Sequence, residues 1–270
     1  MKKYLVQAVF VCGLLAEFPA SAQFPSSVES LASAGGSLFA VSACGIAFGN
    51  PATLDSAASF SGGFYTSQGF LVAELQEKGV GMNIRVMRQT KLHASFAQKG
   101  YSLFSYQRGA LFLSQSFGKG LAAAVGAEMR SMRQGEGYGS LTAWNVKSAL
   151  KIRVSHKVEA ATMLTIPVKK AWMVAKNDFL FGLRYRFSSV FSLCAEAGLY
   201  NGETPFRFYL RYHAAKKVII YGGAGGRPFR MAFGCSLQWR SWQILTGAAY
   251  QPVTGFTPGI ELDFQQELQD

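Results

Sequence analysis

Two strand-length stretches alternate aromatic with basic side chains, and this alternation restricts the fold more than any other feature. Phe179, Phe181, Leu183, Tyr185 and Phe187 take every second position, with Leu180, Gly182, Arg184 and Arg186 between them. One hairpin later Phe206, Phe208, Leu210 and Tyr212 alternate with Arg207, Tyr209, Arg211 and His213. Successive side chains of a strand point to opposite faces, so each strand has one apolar face and one arginine-bearing face. A soluble sandwich would bury the aromatics and leave the charges in water. A barrel in a bilayer turns the aromatics to lipid and the charges to the lumen.

From about Ser59 the chain reads as strand after strand, broken by turn residues. Fourteen strands are expected, near 60–67, 79–87, 90–97, 104–116, 120–132, 141–154, 157–166, 178–187, 190–200, 205–213, 216–224, 229–239, 242–250 and 257–264. Tight connections such as Gly118-Lys119-Gly120, Ser188-Ser189 and Arg240-Ser241 alternate with longer ones such as 167–177 and 252–256. That is the hairpin order of an outer-membrane barrel, and an even strand number lets the ends meet antiparallel. Shifting 179–199 by 27 residues superposes Phe179, Phe181, Leu183, Arg184, Tyr185 and Gly198 on Phe206, Phe208, Leu210, Arg211, Tyr212 and Gly225. A repeated hairpin suits a barrel, or any up-and-down sheet. The expected fold is all-β: a closed antiparallel transmembrane barrel of about 14 strands with a small N-terminal plug.

The chain start suggests a secretory leader over 1–22. Lys2 and Lys3 precede an apolar stretch from Tyr4 to Leu15, and Ala20-Ser21-Ala22 forms a small-x-small cleavage site. A retained anchor is the rival reading. Residues 23–58 are assigned to the plug, 59–264 to the barrel and 265–270 to a tail. The charge-free run from Ser30 to Leu54 is the nearest approach to a spanning helix, but Gly, Ala and Ser dominate it. The expected location is the outer membrane.

Phe229, Met231, Phe233, Cys235, Leu237 and Trp239 form another apolar stripe. Phe179, Phe181, Leu183, Phe206, Phe208, Leu210, Phe229 and Phe233 are therefore expected to face lipid, and Arg184, Arg186, Arg207, Arg211 and Arg230 the lumen. Trp239 and Trp242 flank a tight turn, where indoles suit a membrane interface. With 27 Lys and Arg against 15 Asp and Glu, some basic groups must face water or an anionic partner.

Little in the chain points to catalysis or cofactors. Cys44, Cys194 and Cys235, the cysteines outside the leader, are widely spaced and read as small hydrophobes. His93, His156 and His213 form no ligand pair, so neither a metal nor another cofactor is expected. No serine stands out as the partner of a histidine base. Gly222-Gly223-Ala224-Gly225-Gly226 precedes Arg227-Pro228 and a strand rather than a helix, so it reads as a turn between hairpins, not a phosphate cradle. Basic residues never run beyond two together, which argues against nucleic acid.

The segment Ala47-Phe48-Gly49-Asn50-Pro51-Ala52-Thr53-Leu54 places an Asn-Pro-Ala triplet about thirty residues after the leader. In this position it resembles the N-terminal segment of the long-chain fatty-acid transporter superfamily. The resemblance implies a fourteen-stranded barrel with a hatch in its lumen. Gly100-Tyr101-Ser102-Leu103-Phe104, Gly135-Glu136-Gly137-Tyr138-Gly139 and the stretch from Tyr250 to Pro258 look like elements of an uncharacterised Bacteroidetes branch, related to barrels associated with type IX secretion. The chain is shorter than the fatty-acid transporters, which puts a deep lipid-capture pocket in doubt. Near the end, Gly259, Leu262 and Phe264 resemble the C-terminal signal read by the barrel-assembly machinery. Passage or binding of a small hydrophobic or amphipathic molecule is the implied function, with Asn50, Pro51 and Ala52 as gating residues. A non-transporting scaffold that docks an envelope protein partner is the alternative. Outer-membrane lipid is an expected partner in either case.

Overall fold

A computed structural model describes residues 27–52, 58–101, 103–135, 139–168, 178–199, 204–226, 228–252 and 255–267. The leader expected over 1–22 lies outside these residues. Fourteen strands run in chain order: β1 Ala58–Gln68, β2 Gln76–Met87, β3 Thr90–Tyr101, β4 Phe104–Phe117, β5 Leu121–Gln134, β6 Ser140–Arg153 and β7 Val158–Pro167. They continue as β8 Asp178–Arg186, β9 Phe191–Leu199, β10 Phe206–Ala215, β11 Val218–Gly225, β12 Arg230–Trp239, β13 Trp242–Gln251 and β14 Gly255–Glu267. Each pairs antiparallel with the next, and β1 pairs with β14 to close the barrel. Closure leaves no unpaired sheet edge. Every expected strand is present. β14 runs past the expected end at Phe264, because Gln265 and Gln266 still pair with Ser61 and Phe60 of β1.

Burial in this barrel is inverted relative to a soluble protein. Phe206, Phe208 and Phe233 are 58%, 54% and 61% exposed, whereas Glu128, Glu159, Glu261 and Asp263 are each 1% exposed. The alternation therefore resolves as aromatics outward and charges inward, which excludes the soluble sandwich.

Residues 27–52 pack against the inward faces of the strands, and all but the half-buried Gly35 and Val41 are buried. They contain two short helices, α1 (Val28–Ala32) and α2 (Ala43–Phe48), with Ser27 and Ser42 capping their N-termini. The charge-free run is thus no spanning helix. Gly35 sits at φ 92°, where a left-handed conformation favours glycine, and its N–H closes the first helix on Ser30 O. α1 rests on β11 to β14, and α2 on β1 to β4 and β14.

The glycine cluster lies mostly within β11, up to Gly225, with the turn expected there starting only at Gly226.

Candidate functional site

The inner wall carries an apolar row where a water-filled pore would be polar. Ala124 of β5 faces Ala149 of β6, Ala149 faces Met163 of β7, and Met163 faces Leu180 of β8. Direct register partners share one face of the sheet, so these four side chains form a continuous inward band. Ala122, Ala161 and Cys194 widen it, and Leu38, Phe39 and Ala52 of the N-terminal segment cover it. Gly182 belongs to the same surface, since a Cβ there would lie 2.9 Å from Leu38 Cδ1 and 3.0 Å from Phe39 Cε2.

Elsewhere the segment is tied down by carboxylates. Its two helices are short, so much of its backbone lacks an internal partner and must find one on the wall. Glu261 Oε2 accepts a hydrogen bond from Val28 N at 2.8 Å, and Asp263 Oδ2 accepts one from Ala43 N at 2.9 Å. Glu196 Oε1 accepts from Leu38 N at 2.8 Å, from Ser37 N at 3.1 Å and from the Tyr209 hydroxyl at 2.7 Å. Within the segment, Glu29 Oε2 accepts from Val41 N at 2.7 Å and Ser42 N at 2.8 Å, while its other oxygen pairs with Arg211 of β10. A carboxylate oxygen accepts such bonds strongly when ionised. On a third side Asn83 Nδ2 donates to Ala43 O at 3.2 Å and Ser95 Oγ to Ala47 O at 3.2 Å.

These carboxylates are the anchoring residues that the basic stripes conceal in the sequence. Their signal is parity: Glu261 and Asp263 alternate with Ile260, Leu262 and Phe264, and Glu196 shares the inward face of Cys194.

The five arginines expected in the lumen all take inward positions. Arg184 pairs with Glu159, and Arg186 Nη2 reaches Glu159 Oε1 at 2.5 Å. Arg211 pairs with Glu29, Arg207 Nη1 lies 4.0 Å from Glu196 Oε2, and Arg230 is half-buried. Acidic residues of the wall and segment thus pair with several of the lumen's basic groups. Lys147 Nζ and Arg130 Nε add a second cluster on Glu128, at 2.6 and 2.5 Å.

Phe179, Phe181, Leu183, Phe206, Phe208, Phe229 and Phe233 are exposed on the outside, and Leu210 is half-buried there. Trp239 and Trp242 face each other across the Arg240-Ser241 turn, both exposed. The three C-terminal signal residues divide between the faces. Leu262 is exposed outside, and Phe264 packs against Trp242 with centroids 5.1 Å apart and the rings tilted by 60°. Gly259 points inward, where a Cβ would lie 3.0 Å from Val28 Cγ2 and 3.1 Å from Leu31 Cδ2. It makes room for α1.

Asn50, Pro51 and Ala52 are fully buried. Asn50 Oδ1 accepts from Ala52 N at 2.9 Å, a side-chain bond across the proline that holds the bend. The triplet delivers Ala52 to the apolar band.

His93 is buried between Asn83 Oδ1 and Ser114 Oγ, each 2.7 Å from a ring nitrogen. Asn83 donates through its amide nitrogen, so its oxygen accepts from His93 Nδ1 and leaves Nε2 to accept from Ser114. At the tight-turn end a cleft of about 350 Å³ opens among Arg184, Arg186, Ser188, Ser189, Val190, Phe191, Ser192, Arg211 and His213.

No family model and no curated protein matches this chain. Solved structures do. The Pseudomonas putida toluene transporter TodX is similar at 9% identity and a TM-score of 0.68, over 90% of this chain and 99% of that one. A second structure of TodX gives 8% identity and a TM-score of 0.67, over 88% and 96%. The monoaromatic hydrocarbon channel CymD gives 10% and 0.67, over 91% and 98%. At such identities the likeness establishes a shared fold, which in this chain is a closed antiparallel barrel.

Proposed function

We propose that this protein is an outer-membrane channel for small hydrophobic molecules, gated by its N-terminal segment. The observation that carries the reading is the inward apolar band of Ala124, Ala149, Met163 and Leu180, covered by Leu38, Phe39 and Ala52. A lumen built for polar solutes has no use for such a band. The exposed aromatic belt and the paired indoles support a location in lipid. The hydrocarbon cargo of TodX and CymD supports the cargo class, and small aromatics are the natural first probe. The Asn-Pro-Ala triplet supports a place in the long-chain fatty-acid transporter superfamily. A place in its type IX secretion-related branch has short motifs alone as its support.

One observation favours a second reading. The segment packs tightly on the wall, with both of its helices fully buried, as a non-transporting scaffold would require. Deletion of residues 27–52 separates the two. In reconstituted vesicles the shortened barrel should pass toluene faster than the full chain. Unchanged permeation, together with stable recovery of an envelope protein from membranes, would favour the scaffold.

A further inference from the structure

The wall opposite the apolar band contains a group of side chains with atoms that neither reading uses. Gly63 of β1 is the register partner of Asp263 on β14 and of Gly81 on β2. These two glycines leave a niche in the wall beside the closing seam. α2 enters it: a Cβ at Gly81 would lie 3.0 Å from Cys44 Cα. A Cβ at Gly63 would lie 1.9 Å from Asp263 Oδ1 and 3.2 Å from Cys44 Sγ, so both atoms occupy the space above Gly63. Glu261 completes the group. Cys44 Sγ and one oxygen from each of Glu261 and Asp263 lie within 4.8 Å of one another, and all three residues are buried.

Two features make this more than a cluster of acids. Each carboxylate spends one oxygen on the segment, Glu261 on Val28 N and Asp263 on Ala43 N. Their other oxygens, Glu261 Oε1 and Asp263 Oδ1, are buried without a well-aligned donor, with the Ser42 hydroxyl and the Cys44 thiol beside Glu261 and the two carboxyl groups against each other. The local charge is also unbalanced. Arg211 is paired with Glu29, and neither Glu261 nor Asp263 has a cationic side chain within salt-bridge distance among the described residues. Buried carboxylates without a counter-charge are costly, and one divalent cation would offset two of them.

We propose that Cys44, Glu261 and Asp263 bind one divalent cation of the zinc class, fastening the N-terminal segment to the closing strand β14. A thiolate with two carboxylate oxygens is a donor set that zinc accepts, and that magnesium and calcium, which take oxygen ligands, do not. Zinc bonds of about 2.0–2.3 Å place ligand atoms roughly 3–4 Å apart, within reach of small side-chain rotations. Binding releases the thiol proton to solvent as the sulfur becomes a thiolate ligand. The site stands apart from the transport reading, because a scaffold would need its segment fastened as well.

The test uses the full chain, folded in detergent with zinc(II) present and then dialysed against metal-free buffer. Elemental analysis should find one zinc per chain. Cobalt(II) in its place should show a thiolate-to-metal charge-transfer band. Cys44→Ser should abolish that band, and Glu261→Gln should weaken zinc binding at least about tenfold, with barrel content checked by circular dichroism. If Cys44→Ser does not fold, the cobalt band and Glu261→Gln decide. Substoichiometric metal, no thiolate band, or equal zinc affinity in the folded variants would overturn the proposal. The two carboxylates would then share a proton instead.

Discussion

At the scale of single residues, small groups do the positioning. Asn50 holds the Asn-Pro-Ala bend through one bond to Ala52 N, and that bend sets Ala52 on the apolar band. Asn50→Ala should lower stability by about 0.5–1.5 kcal/mol, read from urea unfolding in detergent, and should alter uptake of a hydrophobic probe. Stability and uptake both equal to the parent's would remove Asn50 from the gate. Gly259 offers a sharper contrast. Because Val28 and Leu31 lie over it, Gly259→Leu should overpack the α1 contact and cost about 1–3 kcal/mol. Gly222→Ala is the control, since its Cβ would make only ordinary contact with the Leu210 side chain, at 3.6 to 3.8 Å. If the two variants unfold alike, α1 does not depend on that space.

At the scale of elements, each strand has two independent jobs. β10 shows both: Phe206 and Phe208 are exposed outside, while Arg207 and Tyr209 reach Glu196 and Arg211 reaches Glu29 inside. A charge at mid-depth on the outer face should cost about 2–4 kcal/mol. Phe208→Arg should therefore fold less stably in a bilayer than the parent, as measured by reversible unfolding from vesicles. Equal stability would mean that this face does not meet lipid. β14 divides its labour the same way. Leu262 faces out and Phe264 packs on Trp242, while Gly259, Glu261 and Asp263 receive the segment. The residues read as one assembly signal thus serve two surfaces.

At the scale of the whole molecule, the barrel is one closed sheet and the segment is a separate piece packed on its inner face. The strands are joined by ladders around the closed sheet. The segment is joined by side-chain hydrogen bonds, the Glu29–Arg211 ion pair and three apolar clusters. Fixing it covalently should close the channel. A Cβ at Gly247 would lie 3.0 Å from Ala32 Cβ, close to disulfide range after a small shift. In a Cys235→Ser background, Ala32→Cys with Gly247→Cys should oxidise, remove the barrel-dependent part of toluene entry measured against protein-free vesicles, and recover it on reduction. Permeation indifferent to the redox state would place the route elsewhere than under α1.

The sequence by itself determined the strands, their number and their two faces. Alternation is local and repeats in every strand, so it survives without knowledge of neighbours, and Phe179 to Phe187 alone shows it. The Asn-Pro-Ala bend was legible for the same reason. The anchoring carboxylates were not. Glu196 lies far from Ser37 in the chain, as Glu261 does from Val28, and only closure of β1 on β14 brings Asp263 over Gly63 and against Cys44. The apolar band was hidden too: Ala124, Ala149, Met163 and Leu180 are each unremarkable in their strands and become one surface only through register across four strands. Which residues share a face is a property of one strand. Which residues meet across the lumen depends on how all fourteen close.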